Sequence, residues 1–108
     1  MISSTPLSAV VICFNEEEII SSCLNALLRV ADEIVVLDSF STDKTPEICR
    51  SKGVRFYQQK FIDYGSQKQD AVKLCRFDHI LSVDADEILD EELVAAILRE
   101  KKKGLASC

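Results

Sequence analysis

Apolar residues in this chain alternate between short continuous runs and stretches of helical spacing. Ser8-Ala9-Val10-Val11-Ile12-Cys13-Phe14 is continuous and rich in β-branched residues, the pattern of a central strand buried on both faces. Beyond it Ile19, Ile20, Cys23, Leu24, Leu27 and Leu28 recur at one-and-four spacing and predict a helix with a single apolar face. Asn15 is its expected N-cap, with Glu18 completing a capping box and the acids at 16, 17 and 18 at the positive end of the helix dipole. Glu33 to Leu37 predicts a second strand that ends in Asp38. Thr45 as N-cap, Pro46 at the first helical position and Gly53 as terminator bracket a second helix.

Val54 to Tyr57 reads as a third, shorter strand, and the signal then weakens into a loop from Gln58 to Ser66 carrying Tyr64 and Gly65. Helical spacing resumes from Gln67 to Arg76 through Ala71, Val72, Leu74 and Cys75, and His79 to Val83 predicts a fourth strand. Asp90 is placed to cap a last helix with Leu93, Val94, Ile97 and Leu98 on its inner face and Gly104 as its stop. Strands alternating with helices predict one α/β domain, a mostly parallel sheet with helices on both faces and right-handed crossovers. No internal repeat or low-complexity linker divides the chain.

Composition narrows the class. With 108 residues and 47% apolar content the chain can build one core and is not disordered. Its five cysteines lie in different predicted elements, form no Cys-x-x-Cys pair and have one histidine, His79, among them; they are expected as small buried residues, not a zinc site or disulfide framework. No stretch reaches the roughly 20 apolar residues that span a bilayer, and residues 1–14 lack a secretory pattern, so the expected location is cytoplasmic. The net charge of −5, with no basic stripe, argues against a nucleic-acid partner. Lysines 101 to 103 would suit peripheral contact with anionic lipid, but a basic last turn more often only complements a helix dipole.

The candidate chemistry gathers at strand ends. Ile80-Leu81-Ser82-Val83 runs straight into Asp84-Ala85-Asp86-Glu87, and open α/β sheets bind ligands outside the carboxyl ends of their strands. In an extended segment Asp84 and Asp86 would share a side, about 7 Å apart, with small Ala85 leaving room between them. Oxygen ligands of this kind hold Mg²⁺ or Mn²⁺ together with substrate phosphates. Without a cation the tip would repel a diphosphate, since like unit charges 4 Å apart cost roughly 4 kcal/mol at an effective dielectric of 20. The plainer reading is a helix N-terminus and turn that happen to be acidic.

Asp38 stands where nucleotide-binding sheets meet a ribose or base, or else caps its own turn. Three glycines, at 53, 65 and 104, make no Gly-x-Gly-x-x-Gly or P-loop, and Ile88 interrupts any EF-hand pattern. His79 reads as structural. Lys68 could turn a cation toward the same edge, or could sit on a solvated helix face.

Three segments together resemble the inverting family-two nucleotide-sugar glycosyltransferases of GT-A fold: AVVICFNEEEII at 9–20, EIVVLDSFSTDKT at 33–45 and ILSVDADE at 80–87. Asp38, Ser41, Asp43 and Thr45 match the family's Asp-x-x-Ser-x-Asp-x-Thr pattern. Gly65-Ser66-Gln67-Lys68-Gln69, with DADE, is most similar to bacterial transferases that add glucose to a lipopolysaccharide inner core, although the family usually has Asn where Gln69 stands.

The resemblance implies a Rossmann-like GT-A nucleotide-sugar-binding domain. Phe14, Asn15 and Glu16 would border the nucleotide pocket, Asp38 would bond the base (usually uracil), Lys68 would lie near the phosphates and Asp84 would contact ribose. Asp86 would bind the Mn²⁺ or Mg²⁺ that bridges the diphosphate.

It further implies a UDP-sugar donor, a glycan or glycolipid acceptor, and a place at the inner face of the cytoplasmic membrane. Family members continue well over a hundred residues past the Asp-x-Asp, so residues 1–108 are expected to be the donor-binding part, truncated, with the acceptor half absent and the catalytic base beyond Cys108. Two readings compete: a nucleotide-sugar-binding or assembly module without turnover, and a phosphatase with Asp84 as nucleophile and Asp86 as acid. Lacking its second half, the domain would expose an apolar face that invites a homodimer.

Overall fold

The computed structural model describes residues 6–85 and 90–102. Its elements run in strict alternation: β1 (Leu7–Cys13), α1 (Ile20–Leu28), β2 (Glu33–Asp38), α2 (Thr45–Ser51), β3 (Arg55–Gln58), α3 (Tyr64–Lys73), β4 (His79–Asp84) and α4 (Glu91–Lys102). The four strands form one sheet in the order β3-β2-β1-β4, and every pairing is parallel.

Both central strands are largely apolar because both of their faces are covered. On one face Ala9, Val11, Ile34, Val36 and Val83 pack with Leu24 and Leu27 of α1, Cys49 of α2 and Val94 of α4. On the other, Val10, Val35 and Leu37 meet Ala71 of α3. Each fully buried Val or Leu contributes roughly 1.5–3 kcal/mol, so these two layers hold the sheet rigid beneath its loops. Cys13, Cys23 and Cys49 are buried thiols and Cys75 is half-buried, as the scattered cysteines predicted.

Helix boundaries depart from expectation where side chains found distant partners. Asn15 does not cap α1, which begins at Ile20 with Ile19 at the cap position and no side-chain cap. Asn15 instead takes a left-handed backbone (φ 52°), and its side chain bonds the next loop. Thr45 lies inside α2, with Lys44 at the cap position. Gly53 does end that segment, with a φ of 73° that a residue bearing a Cβ rarely adopts.

α3 begins at Tyr64, three residues earlier than the periodicity indicated. The signal is polar: Asp63 caps it by accepting from the Ser66 amide. Asp90 caps α4 as expected, accepting from the Leu93 amide at 2.8 Å. Leu93 and Leu98, however, stay exposed, and the helix buries Val94 and Lys101. The Lys101 ammonium donates to the Val30 carbonyl at 2.6 Å and to Asp32 at 2.8 Å, so the helix face is rotated toward a buried polar contact. Gly104 lies outside the described residues.

Candidate functional site

The chain steps from β1 outward through β2 to β3, then returns to the far side of β1 as β4. Such a reversal leaves a crevice beyond the carboxyl ends of the two strands that flank it, where open α/β sheets bind ligands. Here those strands are β1 and β4, with Ile12 in register with Asp84. A cleft of about 310 Å³ opens at that point, with Phe14, Glu16, Ser39, Phe61, Tyr64 and Asp84 among its walls. It continues into an apolar slot between Phe14 and Phe61 with Ser39 beside them.

The loops over this edge are clasped to one another by the motif residues. The amides of Asn15, Glu16 and Glu17 donate in turn to the Ser41 hydroxyl (2.7 Å), the Thr45 hydroxyl (2.9 Å) and the Asp43 carboxylate (3.2 Å). The Asn15 side chain returns the contact by accepting from the Thr42 amide at 2.8 Å. Asp43 also accepts from the Thr45 amide at 2.9 Å. Its carboxyl is held below its ordinary range: desolvation opposes this, and hydrogen bonds from Thr45 and the Glu17 amide together outweigh it. Ser41, Asp43 and Thr45 thus fix the loop after β1 to the loop after β2.

Asp38 is the foundation of that clasp. It is fully buried, and its carboxylate accepts from the Ser41 amide (2.8 Å), the Ser41 hydroxyl, the Gln58 amide group (3.1 Å) and the Cys13 thiol (3.3 Å). Contact with Cys49, burial and the adjacent Asp38 charge all push the Cys13 thiol up, so it remains a proton donor. In this arrangement a nucleobase could bond Asp38 only by displacing a protein donor.

α3 brings a second set of groups to the β4 tip. The Tyr64 hydroxyl donates to the Asp84 carboxylate, and the Lys68 ammonium lies 5.0 Å from the centre of the Tyr64 ring. Lys68 is therefore one side chain removed from Asp84, a cation–π contact fixing it there. Buried Gln67 donates to the Ser39 hydroxyl at 3.0 Å and ties the helix to the slot.

The expected extended geometry stops at Asp84: Ala85 is in a turn, packed in the core layer beside α1, and lines the cleft next to Asp84. Asp86, the expected metal ligand, lies outside the described residues, as do Glu87, Ile88 and Leu89. Among the described residues no group of three or more His, Cys, Asp or Glu side chains converges to hold a metal. The Asp84 carboxylate at the β4 tip fits a cation shared with substrate phosphates, which needs one or two carboxylates, not an all-protein cage.

Of the expected residues, the structure brings Phe14, Glu16 and Asp84 into one cleft, with Lys68 adjacent through Tyr64. Asn15 and Asp38 act behind them as clasp and foundation. Phe61, Tyr64, Ser39 and Gln58 were missed. The available signal was the apolar content of an otherwise polar loop, Phe61, Ile62 and Tyr64, which a soluble turn does not need.

The profile of glycosyl transferase family 2 matches residues 8–108. The chain belongs to that family. It is 41% identical over 98 residues to the lipopolysaccharide core biosynthesis glycosyltransferase LpsC of Rhizobium meliloti, covering 86% of this chain and 36% of that protein. An uncharacterized glycosyltransferase of Rickettsia bellii is 41% identical over 87 residues, covering 81% of this chain and 30% of the relative. The chain thus spans about a third of the length of these relatives.

Crystal structures of glucosyl-3-phosphoglycerate synthase from Mycobacterium tuberculosis are also similar. One, in complex with Mn²⁺, UDP and phosphoglyceric acid, superposes with a TM-score of 0.69 at 25% identity, covering 78% of this chain and 34% of that one. Another, with Mg²⁺ and UDP, gives the same values. The fold is the Rossmann-like GT-A fold, here as four parallel strands with helices on both faces. Among the described residues no helix is long and apolar enough to cross a membrane.

Proposed function

We propose that the protein binds a nucleotide-diphospho-sugar, with UDP-sugar favoured, as the donor part of an inverting, metal-dependent glycosyltransferase in lipopolysaccharide or other cell-envelope glycan synthesis. The observation that carries this reading is the cleft at the β1/β4 reversal, where aromatic walls and the Asp84 carboxylate meet. Phe14 and Glu16 border the nucleotide, Asp84 faces ribose and Lys68 approaches the phosphates. Asn15 and Asp38 hold the loops that shape the pocket. Asp86 would hold Mn²⁺ or Mg²⁺ with the diphosphate; when bound, the cation stabilises charge on the departing diphosphate. The presence of Mn²⁺ or Mg²⁺ with UDP in the mycobacterial synthase supports a divalent ion at such a site.

The acceptor, a glycan or glycolipid, and the general base belong in this reading to chain beyond residue 108, and the site of action is the cytoplasmic face of the membrane. Lys101 is buried against Val30 and Asp32, which leaves Lys102 of that helix end for lipid contact. A homodimer would use the open edge of β4, where a groove of about 470 Å³ runs beside α4.

Titration calorimetry with UDP and UDP-sugars, with and without Mn²⁺ or Mg²⁺, tests the proposal on the unsubstituted protein and Asp86→Ala. Metal-dependent UDP binding, weakened at least tenfold (about 1.4 kcal/mol) by the substitution, is expected. Unchanged binding in the variant removes Asp86 from the metal role, and absence of nucleotide binding sinks the proposal. Sugar transfer by residues 1–108 would show that the base has been misplaced.

A further inference from the structure

α4 is fastened to the domain at two buried points. Of its 12 residues Val94 and Lys101 are buried, while Leu93 and Leu98 stay 43% and 37% exposed. Val94 lies in the core layer that also holds Val83 and Ala85, the neighbours of Asp84 on either side. One buried plug leaves a helix free to swivel. Lys101, seven residues and about 10 Å further along, is the second point, and two points fix an axis.

Lysine is almost never buried unless it is paired. Lys101 is 6% exposed, and its ammonium donates to the Val30 carbonyl and to Oδ2 of Asp32. The same Oδ2 atom accepts from the Leu7 amide at 2.8 Å, and the Asp32 amide donates to the Leu7 carbonyl at 2.8 Å, so the partner is itself locked to the start of β1. An apolar side chain at this place could slide, whereas an ammonium held by two oxygens sets one register. Arg29, from the same connection between α1 and β2, meets Glu91 at the other end of α4 (2.7 Å), a pair too exposed to weigh much by itself.

We propose that Lys101 is a positioning residue for the acidic tip of β4. By fixing the axis of α4 from the start of β1, at the opposite edge of the sheet from the cleft, it sets how Asp84 and the segment leading to Asp90, which carries Asp86, present carboxylates to a cation. α4 begins seven residues after β4 ends, so a swivel of the helix is passed to that segment and, through Val94, to the residues flanking Asp84. The inference rests on the nucleotide-sugar reading with its divalent cation and adds to it a residue that touches neither.

The test separates metal-dependent binding from the rest. UDP is titrated with and without Mn²⁺ into the unsubstituted protein, Lys101→Met and Lys101→Arg, and amide hydrogen exchange is followed along α4. Lys101→Met keeps an unbranched apolar stem and loses the charge and the donors. It should cut the gain in UDP affinity on adding Mn²⁺ about fivefold, leave metal-free UDP affinity within about twofold, and speed exchange in α4 but not in β1 or β2. Lys101→Arg, which keeps charge and donors, should restore the gain. Should Lys101→Met not fold, Asp32→Asn reads the same quantities and should move them the same way, since Asp32 is 43% exposed and asparagine keeps an acceptor for the Leu7 amide.

A Mn²⁺ gain indifferent to Lys101 overturns this inference alone, as does an equal loss of UDP affinity with and without the metal, α4 exchange that matches the parent, or a Lys101→Arg protein no better than Lys101→Met. An unsubstituted protein that gains nothing from Mn²⁺ overturns the reading beneath as well.

Discussion

The carboxylate of Asp38, buried at the end of β2, accepts hydrogen bonds from both the amide and the hydroxyl of Ser41 three residues later. The same hydroxyl accepts from the Asn15 amide, so one oxygen joins two loops. Ser41→Ala should therefore lower unfolding stability by about 1–3 kcal/mol, the cost of leaving a buried acceptor short of a donor. Urea denaturation measures it. A loss below a few tenths of a kcal/mol would mean that the clasp is not formed in solution.

Asn15 offers a sharper contrast, because backbone and side chain can be separated. Asn15→Gly keeps the left-handed backbone and loses the bond from Thr42; Asn15→Ala loses both. Alanine should be the more destabilising by about 1 kcal/mol. The reverse order in thermal melts would contradict the positive φ.

Removing the Tyr64 hydroxyl takes a hydrogen-bond donor from Asp84. Since Tyr64 is 45% exposed, Tyr64→Phe should fold as well as the parent, with an unchanged melting midpoint. Its affinity for UDP with Mn²⁺ should fall roughly fivefold, about 1 kcal/mol, in calorimetry. Full retention would show that Asp84 does not need Tyr64.

Stability should decline in acid through Glu33 and Asp32, at the start of β2. Burial alone would raise Glu33, but hydrogen bonds from the Ser8 hydroxyl, the Arg76 amide and Arg55 outweigh it and hold its carboxyl below the ordinary value of 4.5. Asp32 behaves alike: burial opposes, and Lys101 with the Leu7 amide prevails. A depressed folded value means stability that is complete above the unfolded value and lost as pH falls through the folded one. Melting temperature should therefore hold from neutrality to about pH 5 and drop below it, and Glu33→Gln should flatten that drop. An identical acid slope in the variant would assign it to other carboxylates.

Local pattern carried much of this. Continuous Val and Ile runs marked buried strands, and one-and-four spacing marked α1, because side-chain direction repeats with the backbone and needs no knowledge of partners. The alternation of the two implied the parallel sheet, and acidic or polar strand ends marked the sheet edge where the cleft opens. Asp90 as a cap and Gly53 as a stop were equally readable, since each acts within four residues of itself.

Tertiary packing alone decided what the polar residues do. Asn15 and Thr45 have the chemistry of helix caps, yet each bonds a loop more than 25 residues away in sequence, a partner that exists only once β1 and β2 lie side by side. Asp38 could be read as a ligand contact or as the cap of its own turn; it is a buried anchor that Ser41 reaches within the turn and that Gln58 and Cys13 reach through strand register. Phe61 and Tyr64 both looked like loop residues until the fold set Phe61 beside Phe14 and the start of α3 brought Tyr64 to Asp84. Periodicity reports which face of an element is buried; a hydrogen bond between distant loops depends on how the faces are stacked, and that is set by the packed sheet.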